Sequence, residues 1–108
     1  MIPSTLRREL NGVVRELKRR YRPQAIILFG SLAQERSRVG SDIDLVVVKR
    51  TRKPFINRLK EAALLHHAHV GVDILVYTPE EWKQMQREGR GFIVDEVLKK
   101  GRLLHRAA

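Results

Sequence analysis

Leu6, Leu10, Val13, Val14, Leu17 and Tyr21 recur at helical spacing with Arg, Lys and Glu between them. That pattern predicts an amphipathic helix from Pro3 to Tyr21. Pro3 or Ser4 opens it, and Arg22-Pro23 ends it, because the residue before a proline avoids helical backbone. The period then changes. Ala25 to Phe29 (AIILF) is continuously apolar and closed by Gly30, as in a buried strand, and Ser31 reads as the N-cap of a short helix to about Glu35 or Arg36. A turn over Arg38-Val39-Gly40-Ser41 leads into a second strand, Asp42 to Val48. Pro54, at a first helical position, starts a helix through Phe55, Leu59, Ala62 and Ala63 to about His69, which Gly71 breaks. Val72 to Tyr77 is a third strand. Thr78-Pro79-Glu80-Glu81 has the form of a capping box, opening a helix to about Glu88. Gly89-Arg90-Gly91 breaks that helix, a last one spans Phe92 to Lys100, and Arg102 to His105 forms an edge strand after Gly101. This alternation predicts an α/β (α+β) fold, with helices packed on one small sheet, and a single domain over residues 1–108.

The same pattern isolates an anomaly. The chain has four aspartates, and Asp42, Asp44 and Asp73 stand at the starts of two otherwise apolar strands. Strands avoid aspartate, and an unpaired buried carboxylate is costly. Alternate strand residues face the same way, so Asp42 and Asp44 project together. With Asp73 beside them, three carboxylates converge among Ile43, Leu45, Val72 and Ile74, which neutralise nothing. Two such charges ~4 Å apart repel by ~4 kcal/mol at an effective dielectric near ~20. A divalent cation turns that repulsion into coordination, and oxygen-only ligands point to Mg²⁺ or Mn²⁺ rather than zinc. Turn capping at strand entrances explains Asp42 alone; it does not explain Asp44, set inside the strand.

Gly30 follows the first strand and Ser31 opens a helix, so free backbone amides and a hydroxyl face whatever docks there, as in a phosphate cradle. The segment is neither a Walker A loop nor a dinucleotide fingerprint. A cradle at the end of strand one and carboxylates at the start of strands two and three share one substrate only in a mixed sheet. Strand one must then run antiparallel to strand two, and strand three parallel to it.

Composition narrows the remaining classes. An apolar content of 43% with 31% charged residues suits a soluble globular protein rather than a disordered one. No apolar run approaches the ~20 residues of a membrane span, and MIPSTLRREL has no apolar stretch of the signal-peptide kind. The absence of cysteine points to the cytoplasm. A net charge of +10 fits a nucleic-acid, nucleotide or acidic protein partner, and fits an Arg-rich proteome equally well. The basic cluster KRTRK at 49–53 reads as a solvated loop, at the end of its strand away from the aspartates. His66, His67 and His69 lack a third ligand on one face and read as helix-end residues. Trp82 reads as a core or partner contact and Tyr77 as strand packing.

Gly30-Ser31, then Asp42-Ile43-Asp44 beginning 11 residues after Ser31, and a later strand carboxylate at Asp73, resemble the polymerase β-like nucleotidyltransferase superfamily. With the C-terminal YTPEEW…FIVDEVLKKGRLL, the chain looks like its minimal nucleotidyltransferases, antitoxin partners of HEPN-domain toxins. The resemblance implies that Gly30 and Ser31 hold the terminal phosphates of a nucleoside triphosphate, expected to be ATP. It implies that Asp42, Asp44 and Asp73 ligate two Mg²⁺ ions, with Mn²⁺ an acceptable substitute, and that a nucleoside monophosphate passes to a hydroxyl of a HEPN partner by in-line displacement. One departure stands out: many members read GSxARG where this chain has Gln34-Glu35. A toxin-neutralising antitoxin without catalysis and a basic nucleic-acid-binding domain remain the alternatives. Homo- and hetero-oligomers both fit; a membrane partner does not.

Overall fold

In the computed structural model, which describes residues 2–36, 42–89 and 91–107, the periodic N-terminal segment forms α1 (Ser4–Glu16). Its last turn, Leu17–Tyr21, widens to a π turn rather than continuing as α-helix. Pro23 denies helical backbone to Arg22. Arg22 leaves through a left-handed conformation (φ 52°), and its N–H reaches back to the Leu17 carbonyl at 3.1 Å. Leu17 and Tyr21 stay buried through the change.

The other elements are β1 (Ala25–Phe29), α2 (Gly30–Ala33), β2 (Ile43–Val48), α3 (Phe55–Ala63), β3 (Val72–Tyr77), α4 (Pro79–Glu88), α5 (Phe92–Lys100) and β4 (Arg102–Arg106). The sheet order is β3-β2-β1-β4. β1 is antiparallel to β2 and β4, and β2 is parallel to β3. This is the mixed α/β fold expected from the sequence.

Alternation places Ile26, Leu28, Ile43, Leu45, Val47, Ile74 and Val76 on one face, against α1 and Ala62 of α3. Phe29, Val46, Val48, Leu75 and Tyr77 take the other, against Trp82, Met85, Ile93 and Val97 of α4 and α5. Trp82 is therefore core, stacked on Tyr77 with ring centroids 5.9 Å apart. The Thr78–Glu81 capping box forms in both directions.

Three local expectations are corrected. Ser31 is not the N-cap of α2: the helix begins two residues earlier than that cap implies, at Gly30 after an extended Phe29, because Gly30 turns the chain with φ 76°. Pro54 precedes α3 as its N-cap rather than sitting inside it. That helix also ends at Ala63, with His66 and His69 in the return segment beyond it. The chain must climb back along a six-residue strand of about 20 Å, and a nine-residue helix covers only about 14 Å of it. The expected turn at Arg38–Ser41, and Arg90 of the glycine break, lie outside the described residues.

Candidate active site

Asp44 lies on the α4/α5 face of β2, in phase with Val46 and Val48. Parallel pairing sets it level with Asp73 on β3, and antiparallel pairing sets it level with Phe29, the last residue of β1. Asp42, two residues before Asp44, is exposed, Asp44 half-buried and Asp73 exposed. Burial raises the Asp44 pKa above the usual carboxylate range; the charges of Asp73 and Asp42 raise it further, as does a side-chain hydrogen bond with Asp73. The sheet thus sets Asp44 level with Asp73, and Asp44 feels the charge of both other aspartates. Among the described residues, no Lys or Arg side chain forms an ion pair with any of the three.

Two glycines make room for these carboxylates. At Gly30 a side chain is opposed twice, by the positive φ and by Asp44: a Cβ there would stand 3.2 Å from the Asp44 Cγ and nearer still to Oδ2. At Gly71 a Cβ would stand 3.0 Å from the Asp42 Cγ and nearer to Oδ1. Glycine at 30 is therefore what brings the bend after β1 into contact with the β2 carboxylate.

The bend itself offers donors. The first amides of a helix have no intrahelical acceptor, which at α2 are those of Gly30, Ser31 and Leu32. Ser31 is the second residue of this helix, so its hydroxyl belongs to the same bend as those amides. With only four residues α2 adds little macrodipole; amides and hydroxyl are what it presents. Gln34 and Glu35 point elsewhere: Gln34 Nε2 donates to Glu96 Oε2 of α5 at 3.0 Å, and Glu35 pairs with Arg102 of β4 at 2.9 Å.

A cavity of about 440 Å³ opens beside the carboxylates, lined by Asp44 and Asp73 with Phe29, Leu75 and Ile93 on one side of β3 and Leu59, Ala63 and His66 on the other. Burial, then the charge of His67, lowers the His66 pKa, so the imidazole is neutral near pH 7. Among the described residues no group of three His, Cys, Asp or Glu side chains stands close enough together to hold a metal ion. Asp44 and Asp73 are the close pair, and Asp42 rests on Gly71. The donor chemistry still fits a hard cation: oxygens only, an excess of negative charge, and one carboxylate partly desolvated.

Sequence reading missed Gly71, which shapes this region, and Arg58, which ties α3 to the later part of β3 and to α4. Gly71 registers in the sequence only as a helix breaker; its position two before Asp73 is the signal that could have marked it. Arg58 is buried (6% exposed), with its guanidinium bonded to the carbonyls of Lys53 and Val76 and to both carboxylate oxygens of Glu81. Nothing in the helical pattern distinguishes it from its exposed neighbours.

The sequence matches the family profile "Polymerase beta, Nucleotidyltransferase" over residues 11–107. The chain belongs to the polymerase β nucleotidyltransferase family. Comparison with curated protein sequences gives no match. Among solved structures, this nucleotidyltransferase domain is similar to a Sulfolobus solfataricus protein assigned to the nucleotidyltransferases, at 16% identity and a TM-score of 0.63, over 98% of this chain and 90% of that one. It is similar to a toxin–antitoxin protein solved with AMP-PNP, at 23% identity and TM-score 0.58, over 90% and 73% of the two chains. A mutant of the toxin–antitoxin MntA-HpeT matches at 23% identity and TM-score 0.56, over 91% and 72%. At these identities the likeness is one of fold.

Proposed function

We propose that this domain transfers a nucleoside monophosphate, AMP from ATP, to a hydroxyl on a HEPN-domain toxin, releasing pyrophosphate. The observation that carries this reading is the level pairing of Asp44 with Asp73, directly against the Gly30 bend. Family membership supports nucleotidyl transfer; the toxin–antitoxin neighbours, one of them solved with an ATP analogue, support the donor and the kind of partner.

In this reading the amides after Phe29 and the Ser31 hydroxyl hold the terminal phosphates. Asp42, Asp44 and Asp73 are the residues that would hold two Mg²⁺ ions, or Mn²⁺. Bound there, the ions neutralise phosphate charge and favour the ionised form of the attacking hydroxyl. The acceptor oxygen forms a bond to the α-phosphorus as the bond to the β-phosphate oxygen breaks, and the hydroxyl proton is lost to solvent. Asp73, exposed on an edge strand, lies where an acceptor arrives. The apolar walls around Phe29, Leu75 and Ile93 exclude water from one side of the pair.

Labelled ATP and Mg²⁺, incubated with the domain and its neighbouring gene product, should label that product. Asp44→Ala should abolish the label. Wild type and Asp44→Ala behaving alike would remove the enzymatic reading. An Asp42→Ala/Asp44→Ala protein that still protects cells from the toxin would leave neutralisation by contact.

A further inference from the structure

Gly71 does not need glycine for its backbone conformation, since its φ lies outside the left-handed region. It needs glycine for space. Its Cα is the surface on which the Asp42 carboxylate rests, and a Cβ would occupy that place. The same residue starts the parallel ladder: the Gly71 carbonyl accepts the Ile43 N–H at 2.9 Å, one step before Ile43 pairs with Val72 and Asp44 with Asp73. One backbone position therefore both seats Asp42 and fixes the level at which Asp73 meets Asp44.

What opposes a side chain at 71 is the end of a short, exposed side chain rather than backbone. Asp42 can relieve the overlap by swinging into solvent, which costs the fold little. It also carries the carboxylate away from its two companions, and their repulsion favours that escape. We infer that Gly71 is a positioning residue that holds Asp42 toward Asp44 and Asp73 and thereby sets the affinity of the site for a divalent cation. This rests on the metal-binding role proposed above for the three aspartates.

The test uses Mn²⁺ alone as probe, its free concentration read by electron paramagnetic resonance, with thermal melts of the same samples. Gly71→Ala should melt close to wild type and bind Mn²⁺ about tenfold more weakly, as expected when the support of a metal ligand is lost. In an Asp42→Ala background, Gly71→Ala should change neither measurement. Wild-type Mn²⁺ affinity in Gly71→Ala overturns the inference, and so does an equal loss in both backgrounds, which marks a general disturbance of the strand. If Gly71→Ala fails to fold, recovery of the fold on adding Asp42→Ala supports the inference, and failure in both overturns it. Absence of Mn²⁺ uptake by wild type itself overturns the metal-binding reading, an outcome distinct from the others.

Discussion

A carboxylate at position 44 is surrounded by groups that disfavour its charge: the apolar wall that buries it, Asp73 level with it and Asp42 two residues back. Asp44→Asn keeps the shape and removes the charge. In metal-free buffer it should stabilise the domain by about 1 kcal/mol, the repulsion of two solvated charges near contact, which is several degrees in Tm for a chain of this size. The same variant should lose transfer activity by more than the roughly 100-fold that follows loss of a metal ligand's supporting contact. Melts with and without chelator, beside the labelling assay, check both. Glu35 is a second residue held against its preference, with φ 58° where many family members carry glycine. Glu35→Gly relieves the left-handed strain and should raise Tm by a few degrees, although it gives up the pair with Arg102. Glu35→Ala keeps the strain and loses the pair, so it should lower Tm. Differential scanning calorimetry on the two variants separates strain from charge.

Among elements, α3, β3 and α4 are joined by one guanidinium. Arg58 leaves α3 to reach the Val76 carbonyl and Glu81, which also completes the Thr78 capping box. The Arg58 hydrogen bond, with help from the Thr78 amide, holds the Glu81 pKa below its ordinary value of 4.5. A lowered carboxyl pKa contributes stability that is present above 4.5 and lost as pH falls through the lowered value. Glu81→Gln keeps the cap geometry and loses the charge. With the Glu81 side chain 45% exposed, the cost at pH 7 should be about 1 kcal/mol, below the range for charged hydrogen bonds. The gap from wild type should narrow in denaturant melts as pH is lowered below 4.5. Much of this level was legible beforehand. The IDLVVV run, the Thr78 cap and the mixed strand directions follow from periodicity and from the need to bring a phosphate bend to a pair of aspartates. Arg58 and the Gly71 seat were not, because each depends on a residue distant in sequence, Glu81 for Arg58 and Asp42 for Gly71; the π turn was not, because Arg22-Pro23 marks where the helix ends and not how its last turn closes. Ser31 misled as a cap because a glycine at positive φ can start a helix without one.

For the whole molecule, the net charge of +10 is spread rather than focused. The KRTRK segment is tied to its surroundings: Lys49 donates to the Tyr21 carbonyl at 2.6 Å, Arg50 pairs with Glu80 at 3.5 Å, and Lys53 pairs with Glu61. Three of its basic residues are thus held by the protein's own groups, where the sequence suggested a solvated loop. No helix among the described residues is long and apolar enough to cross a membrane. Composition, charge and periodicity thus bounded the class, whereas the active-site assignment came from carboxylates out of place in strands.

Asp73 stands on an outermost strand of the sheet, since β3 has only β2 for a neighbour. Within the sheet, and among the described residues, a side chain at such a margin has a neighbouring strand on one flank only. In the proposed transfer, a folded acceptor that presents its hydroxyl along this margin would supply the missing half of the enclosure with its own surface. Small hydroxyl compounds would leave that half open to water, which would bias the site toward acceptors large enough to close it themselves.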